Sequence, residues 1–571
     1  MRSGQSPMNM PDCFTDIRSD TLLTHATIAR ENLLLGIEIL KSSGYTLLLD
    51  ITAIDYTLYP SFHPEPFALV YLLRSGDFTQ AFSLKCYLPR DALTVETLTP
   101  HYPCADWLER EVYDQYGILF EGHPNPERIL NHHQFIGHPL RKEYPITQAQ
   151  PCSEAVDLMP QMRQRLLEKK IIFPDGEGGY TEPNKDLMFL NLGPSHPASH
   201  GTIRTFVALE GESIIAAVSE IGYLHRGFEK SCENHTYNQI IPYTDRLNYC
   251  SSLINNVAFA KAIEEMLGVT LPERGIYIRV LLIELSRILD HLICLAANLV
   301  DMGALTNFWY LFNPREDAYT FLSKLTGARL TNSYMRVGGM ANDLYRGYES
   351  DLEFILRKIE KGVGDTLKLI EHNRIFLDRT QNVGIVTAQQ ALFYGFSGPN
   401  LRASGVQYDQ RKNTPYYYYD RFEFDSPIGS VGDIYDRMTV RFAEIDQSIR
   451  IVRQCVAQMP GGAINVSNPA IILPQKQAVY TTIEGAMNQF KLIFEGVKVP
   501  RGEHYSSLEA SNGELGFYVV SDGSGTPYKV KVKAPSFLHM AAYPSMIENE
   551  QLADAIINLG SLNIIAGEMD R

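Results

Sequence analysis

The sequence lacks the local motifs by which most redox enzymes bind their own cofactors. No two of its eight cysteines lie three positions apart, so their spacing supports neither a zinc site nor an iron–sulfur site. So few, scattered thiols in a long chain indicate a reducing compartment rather than a disulfide scaffold. Dinucleotide-binding GxGxxG, P-loop, HExxH and GxSxG motifs are also absent. If the chain takes part in redox chemistry, we expect other proteins to bind the cofactors.

Positive charge and uninterrupted apolar runs are scarce as well. The chain has 51 Lys and Arg against 66 Asp and Glu, a formal net charge of −15, which argues against nucleic acid as the main partner. The longest apolar stretch, residues 276–300, contains five ionisable side chains, and these exclude a transmembrane helix. The opening MRSGQSPMNMPDC has no apolar segment, so we expect no signal peptide. If the protein works at a membrane, other subunits must hold it there.

The chain of 571 residues is close to four times the size of a typical domain of about 150 residues, so we expect more than one core. Its 45% hydrophobic and 20% charged residues are ordinary for a globular protein. We predict a small α+β domain over residues 1–150 and a linker over 151–185. The linker contains the Gly-, Pro- and acid-rich tract FPDGEGGYTEPNKD. Residues 186–571 form the second predicted domain, which is helical at its centre with small β layers near its ends.

Hydrophobic patterning predicts individual elements in both domains. In the first domain we expect strands at 45–54 and 67–73 and a helix at 106–116 that ends at Gly117. In the linker we expect a helix at 161–170. In the second domain we expect, in order, a strand at 187–192, a hairpin of 202–209 with 214–218, a helix at 251–267 that ends at Gly268, and a helix at 276–300.

One loop of the second domain can carry chemistry. The segment GPSHPASHG, residues 193–201, has two prolines that forbid a regular helix and glycines that allow a tight reversal between two strands. Such a loop can project His200 into a cleft, where an imidazole donates a hydrogen bond and a proton near neutral pH. A solvated or structural histidine is the alternative that the loop alone leaves open.

Two further patterns stay open on the sequence alone. The segment PYTDRLNY ends at Tyr249, which is either a phenol that binds a ligand carbonyl or a core tyrosine with a satisfied hydroxyl. Glu284, Arg287 and His291 share one face of the helix predicted at 276–300, either as an internal ion network or as a solvated stripe. We interpret the tyrosine run 416–419 as aromatic packing in a loop, without a role in a site.

Many segments together resemble a known family. Residues 186–571 closely resemble the 49-kDa (D) subunit of respiratory complex I, through motifs in the family's order: NLGPSHPASHGTIR, IGYLHRGFEK, PYTDRLNY, ELSRILDHL, DMGA, RVGGM, GPNLRASG, GDIYDRMTVR, FKLIFEG and GEMDR. Residues 103–145, PCADWLEREVYDQYGILFEGHPNPERIL to GHPLRKEYP, resemble the 30-kDa (C) subunit of the same complex. The whole chain therefore resembles the fused C/D subunit of bacterial proton-pumping NADH–quinone oxidoreductase.

The resemblance implies roles for individual residues. His200 and Tyr249 match the two family residues that hold the quinone headgroup, and Asp301 matches the carboxylate that partners the histidine. Arg226 and His196 are implied to lie near the quinone or near the terminal iron–sulfur cluster. In the family that tetranuclear cluster belongs to the neighbouring B subunit, which agrees with the missing cysteine motifs. We expect no covalently bound cofactor and no metal site in this chain.

Two positions depart from the family pattern. Thr331, in GARLTNSYMRVGG, replaces a histidine that many members carry close to the cluster, so pH-linked behaviour of the cluster through that histidine is not expected here. Asn563 replaces a common aspartate, with no consequence that the sequence reveals.

The implied protein is a peripheral-arm subunit that, with the B subunit, reduces quinone and couples this reaction to proton translocation. Its implied partners are the other subunits of the peripheral and membrane arms, and its implied location is the cytoplasmic face of the bacterial inner membrane. The implied fold of the second domain is that of a nickel–iron hydrogenase large subunit. The alternatives are a related membrane-bound hydrogenase or ferredoxin-driven complex, and an inert assembly scaffold. A hydrogenase requires thiolate pairs near both ends of this domain, but Cys232 is unpaired and the ending SLNIIAGEMDR has no cysteine.

Overall fold

The structure is a computed structural model that describes residues 13–19, 23–61, 63–174, 180–181 and 187–571. The chain divides into two compact units. The first comprises residues up to 129 together with 135–150, and the second comprises 130–134 and 151–571. Most of the Gly-, Pro- and acid-rich tract expected in the linker, at positions 175–179 and 182–186, lies outside the described residues.

The first unit is built on a five-stranded sheet in the order β1-β2-β5-β4-β3, in which only the β2–β5 pair is parallel. The strands predicted at 45–54 and 67–73 are β3 and β4, and every residue of both is buried. The predicted helix is α2, and it ends at Gly117, whose φ of 72° is left-handed. The elements of this unit are β1 Phe14–Ser19, β2 Leu23–Ile28, α1 Leu33–Ser42, β3 Leu47–Asp55, β4 Phe67–Arg74, β5 Ala81–Leu88, β6 Thr94–Glu96, α2 Ala105–Tyr116 and β7 Leu119–Glu121.

The second unit is helical at its centre, with three-stranded antiparallel sheets near its two ends, β10-β11-β12 and β15-β16-β17. Its strands are β8 Phe173–Pro174, β9 Tyr180–Thr181, β10 Met188–Leu192, β11 Arg204–Glu210, β12 Ser213–Glu220, β13 Met335–Arg336, β14 Gly339–Met340, β15 Gly502–Glu509, β16 Glu514–Ser521 and β17 Lys529–Lys533. Its helices are α3 Met159–Glu168, α4 Phe228–Cys232, α5 Tyr237–Thr244, α6 Ser252–Leu267, α7 Glu273–Asp301, α8 Leu305–Thr326, α9 Tyr348–Ile370, α10 Arg374–Thr380, α11 Ala388–Phe393, α12 Gly398–Ala403, α13 Gln410–Asn413, α14 Ile434–Gln458, α15 Lys476–Thr481, α16 Ile483–Phe494, α17 Pro535–Ile547, α18 Leu552–Leu562 and α19 Ala566–Asp570.

Helix α7 is the centre of the second unit. It packs against α6, α8, α14 and α18, and most of its 29 residues are buried. It was predicted at 276–300 and spans Glu273–Asp301. Across the described ranges, no helix is both long and apolar enough to cross a membrane.

Part of the predicted linker is folded against the second unit. Helix α3 places Met162 and Leu166 on the β11–β12 hairpin, where they join Phe206 and Ala216 in one apolar cluster. Its apolar residues recur at helical spacing, so one face of this short helix is buried. Residues 159–168 therefore contribute to a core as well as connecting two units.

Candidate functional site

The histidine-bearing loop connects β10 to β11, which pair antiparallel with Leu192 opposite Thr205. At the start of the loop, Gly193 has a φ of 91°, and a Cβ atom there would lie 1.9 Å from the carbonyl oxygen of Ile203. Only glycine fits such a close approach. The loop is closed internally by the Ser199 hydroxyl, which lies 2.7 Å from the His196 carbonyl oxygen and 2.6 Å from that of Gly201.

This loop places His200 beside the end of α7. The Nε2 atom of His200 lies 2.6 Å from Oδ2 of Asp301, the last residue of that helix, and each side chain is 19% exposed. A neutral imidazole that donates Nε2–H to this carboxylate keeps Nδ1 as an acceptor, whereas a protonated ring donates from both nitrogens. The contact with Asp301 therefore fixes the orientation of the ring, and Nδ1 is the nitrogen that can act on a ligand.

Tyr249 begins a short 3₁₀ helix, Tyr249–Ser251, directly before α6. The residue is 37% exposed. Burial raises the pKa of Tyr249, and the Cys250 thiol and the Asp290 carboxylate raise it further. The phenol therefore keeps its proton at neutral pH and can donate it in a hydrogen bond.

His200 and Tyr249 both lie against the C-terminal half of α7. On the His200 side, a Cβ atom at Gly560 of α18 would lie 3.3 Å from Nε2 of His200, and the Gly560 carbonyl accepts a hydrogen bond from the Cys294 thiol at 3.7 Å. On the Tyr249 side, burial raises the pKa of Cys250, with further contributions from Asp290 and Cys294. Cys294 lies about 10 Å of helix rise from the Asp301 end of α7.

Arg226 and His196, which the resemblance implies to lie near the quinone or the iron–sulfur cluster, are both exposed on the second unit. His196 is exposed in the loop before β11. Arg226 is exposed, and its Nη2 donates to the Arg246 carbonyl at 3.1 Å. Burial lowers the pKa of Arg226, and the neighbouring cation of Arg246 lowers it further.

The segment that contains Thr331 lies beside Arg226 and Arg246. Thr331 and Ser333 both have a left-handed φ of 45°. The Ser333 hydroxyl and backbone N–H both donate to Asp245, which precedes Arg246. The tertiary structure therefore brings Arg226, Arg246 and residues 331–333 into one neighbourhood.

The charged face of α7 is an internal ion network. Glu284, Arg287 and His291 have no solvent exposure. Their partners come from distant segments: Arg411 lies 3.1 Å from Glu284, and Glu444 lies 2.8 Å from His291. The solvated stripe that the spacing also allowed is therefore excluded.

The tyrosine run 416–419 packs as expected and also bonds this network. The rings of Tyr416 and Tyr419 are in edge contact at 5.0 Å. The hydroxyl of Tyr419 donates to Glu284 of the network at 2.6 Å, and that of Tyr417 accepts at 2.8 Å from Arg279, which forms a separate buried pair with Glu264. Buried charges of this kind persist only when hydrogen-bonded partners surround them, which the tyrosines supply.

Sequence reasoning missed Asp290 and Gly560 as parts of this site. The sequence contained one indication of a role for Asp290, because a carboxylate within an apolar helix is unusual. That observation, however, is also explained by a helix that does not span a membrane. Gly560 had no signal, because its closeness to His200 depends on how α18 packs. Within the described ranges, no group of three or more His, Cys, Asp or Glu side chains is arranged to hold a metal ion.

Comparison with protein-family models gives the class of this chain. The family model described as "Respiratory-chain NADH dehydrogenase, 30 Kd subunit" matches residues 26–150. The model described as "Respiratory-chain NADH dehydrogenase, 49 Kd subunit" matches residues 301–571. The chain thus combines two subunits of the respiratory-chain NADH dehydrogenase class.

Comparison with individual relatives identifies the subunits more specifically. The C/D subunit of NADH-quinone oxidoreductase from Bdellovibrio bacteriovorus is 45% identical over 533 residues, covering 93% of this chain and 92% of the relative. The C/D subunit from Shewanella oneidensis is 37% identical over 92% of this chain and 88% of its own length. The D subunit from Pelobacter propionicus is 50% identical over 68% of this chain and 96% of its own length. The chain belongs to the family of fused C/D subunits of NADH–quinone oxidoreductase, and it is a subunit of that enzyme complex.

Proposed function

We propose that the second unit forms, with the B subunit of the complex, the site at which quinone is reduced. In this proposal His200 and Tyr249 hold the quinone headgroup and Asp301 orients His200. The observation that carries it is the 2.6 Å contact of His200 with Asp301 on the same half of α7 that adjoins the Tyr249 turn. Arg226 and His196 are proposed to face the quinone or the terminal iron–sulfur cluster of the B subunit, which supplies the electrons.

The proposed reaction requires Tyr249 and His200 to donate hydrogen bonds and protons to the quinone. A quinone becomes a quinol by taking up two electrons and two protons, one proton at each carbonyl oxygen. The Tyr249 hydroxyl donates a hydrogen bond to one oxygen, and the protonated ring of His200 donates to the other. Fixed donors stabilise the negative charge that develops at the two quinone oxygens. Tyr249 and His200 can then each release a proton to the oxygen that they contact. Water returns the protons to Tyr249 and His200 afterwards.

We further propose that this proton release is coupled to pumping by the membrane arm. Loss of protons from Tyr249 and His200 changes the charge beside Asp301, and such a change can bias a conformational switch. The proposed location is the cytoplasmic face of the bacterial inner membrane. There the membrane-arm subunits would hold this chain.

We also propose a nickel–iron hydrogenase large-subunit-like fold for residues 186–571, with a domain of the 30-kDa type at 1–150 and a connection at 151–185. Superposition on a solved hydrogenase large subunit tests the fold. A nickel–iron centre itself does not fit the donor set. Cys232 is fully buried, and burial raises the pKa of its thiol well above the usual value, so it is poorly suited to bind metal as a thiolate. Nickel analysis of the purified complex is expected to find none.

The substitution Tyr249→Phe in the assembled complex tests the quinone-site proposal. It removes only the hydroxyl, so we expect quinone reduction to fall at least about 100-fold, as for loss of a general acid. Electron flow from NADH to a water-soluble one-electron acceptor and the iron content should stay at the wild-type level. Tyr243→Phe is a matched control, because Tyr243 is 39% exposed and lies in the same motif. Undiminished quinone reduction by Tyr249→Phe would remove Tyr249 from the mechanism.

A further inference from the structure

A single carboxylate on α7 bonds the residues on both sides of Tyr249. Oδ2 of Asp290 accepts a hydrogen bond from Asn248 Nδ2 at 2.7 Å and another from the Ser251 hydroxyl at 3.0 Å. All three residues are buried, with exposures of 1% or less. Asn248 in turn accepts from the backbone N–H of Cys250 at 3.1 Å, so the turn is closed around the tyrosine. The backbone of Tyr249 therefore follows the position of Asp290.

We propose that Asp290 is the positioning residue for Tyr249: it fixes the turn at residues 248–251 to helix α7 so that the phenol stands at the place where it meets the quinone. This inference rests on the function proposed for Tyr249. Helix α7 then has two roles, because Asp290 holds the turn of one headgroup donor and Asp301 holds the ring of the other.

The contacts of Asp290 require a group that accepts on every side. Besides Asn248 and Ser251, the hydroxyl of Ser511 in the β15–β16 turn donates to Oδ2. Oδ1 accepts from Asn563 Nδ2, at the end of α18, at 2.9 Å. Four donors from three other segments thus converge on one side chain. A carboxylate offers only acceptors, whereas an amide at position 290 would turn a donor towards at least one of these donors.

Asn563 cannot simply rotate its amide to accommodate such a change. Its Nδ2 also donates to Oδ1 of Asn512 at 2.6 Å, and Asn512 Nδ2 donates to the Asn563 carbonyl at 3.0 Å. An amide at position 290 therefore leaves one buried polar contact unsatisfied, and the structure must shift to relieve it.

The inference predicts a specific pattern of activity in the assembled complex. Asp290→Asn is expected to lower kcat for quinone reduction by about 10- to 100-fold, because a displacement near 1 Å at a reacting group costs about 100-fold. Reduction of a water-soluble one-electron acceptor by NADH should be unchanged.

The decisive measurement repeats this substitution in a Tyr249→Phe background. A residue that acts only through the Tyr249 hydroxyl has nothing left to position there, so Asp290→Asn should lower the remaining rate less than about twofold. If Asp290→Asn lowers the rate by the same factor in both backgrounds, or leaves the wild-type rate unchanged, the inference is overturned. If Tyr249→Phe alone has no effect, the proposed function falls, and this inference falls with it.

Ser251→Ala keeps the inference testable if Asp290→Asn prevents assembly. It removes one donor from Asp290 and a single oxygen atom from the protein. We expect a smaller loss of quinone reduction, about three- to tenfold, that again disappears in the Tyr249→Phe background. Ser506→Ala is the control, because this buried hydroxyl bonds Lys261 on α6 and does not contact Asp290. A loss with Ser251→Ala that persists without the Tyr249 hydroxyl would overturn the inference.

Discussion

Glu444 of α14 lies 2.8 Å from Nε2 of His291 on α7, and neither side chain has any exposure to solvent. The same carboxylate lies 2.5 Å from Arg402 and 3.2 Å from Arg411. Burial alone would raise the pKa of Glu444, but Arg402, His291 and Arg411 together hold it well below its usual range. One acidic side chain therefore joins α7, α12, α13 and α14.

We predict that Glu444→Ala destabilises the second unit strongly. It leaves two arginines buried without a full set of partners, and breaking a buried ion pair from one side costs about 3–5 kcal/mol. Native-state hydrogen exchange of the α7 and α14 amides measures the loss. The control is Asp317→Asn, which breaks a half-exposed pair with Lys358 at 2.7 Å and should leave the same amides unaffected. Equal protection in wild type and Glu444→Ala would contradict the prediction.

A second prediction concerns the pair of His200 with Asp301. Asp301→Asn removes the charge that orients the ring, and we expect quinone reduction by the assembled complex to fall at least about tenfold. A matched control is Glu265→Gln, since Glu265 bonds His504 of the same unit at 2.9 Å. The rate of quinone reduction is measured for both variants. A similar rate for both would show that the effect is not specific to the proposed site.

A third prediction concerns the pH dependence of stability at Glu568. Burial raises the pKa of this carboxyl from 4.5 to about 7. A raised folded-state pKa gives a contribution that is complete below pH 4.5, declines as the pH rises, and levels off above about pH 7. The decline is about 1.4 kcal/mol per pH unit.

The substitution Glu568→Gln removes this titration. Relative to the variant, the wild type should therefore lose stability between pH 4.5 and 7 and then run parallel to it. Unfolding midpoints of the full chain at several pH values measure the difference. Curves that stay parallel over the whole range would mean that Glu568 does not titrate in this way.

A fourth prediction concerns the apolar face of α16. Ile483, Met487, Phe490 and Phe494 lie at helical spacing and are between 51% and 76% exposed. Exposed apolar surface of this extent promotes association. The double variant Phe490→Ser with Phe494→Ser should reduce self-association of the isolated chain, measured by sedimentation, without lowering its unfolding midpoint. Leu492→Ser, at a buried position on the same helix, should lower that midpoint instead.

Local elements were largely predictable from the sequence because their causes are local. The hydrophobic pattern predicted α7 at 276–300, and the structure extends it by three residues at its start and one at its end. Gly117 and Gly268 end α2 and α6 as expected, each with a left-handed φ. Helix α14 was not predicted as an element, although its first residues were noted within a family motif.

The surroundings of individual polar residues were harder to predict from the sequence. Periodicity placed Glu284, Arg287 and His291 on one face but could not tell a buried network from a solvated stripe. The answer depends on Arg411 and Glu444, which lie more than 120 positions further along the chain. No local pattern encodes such a pairing, because the energy of a buried charge depends on partners that only folding brings within a few ångströms.

By itself the sequence determined the family, the absence of local cofactor-binding motifs, the main helices and strands, and the residues worth testing. The family resemblance already implied that Asp301 partners His200, and the structure gives the contact its 2.6 Å distance. Only the tertiary structure decided that Asp290 bonds Asn248 and Ser251, on either side of Tyr249, and that Asn563 contacts Asp290. Helices and turns follow from short-range backbone and hydrophobic preferences that a sequence displays directly. Contacts between distant side chains follow from packing over the whole core, which local sequence does not display.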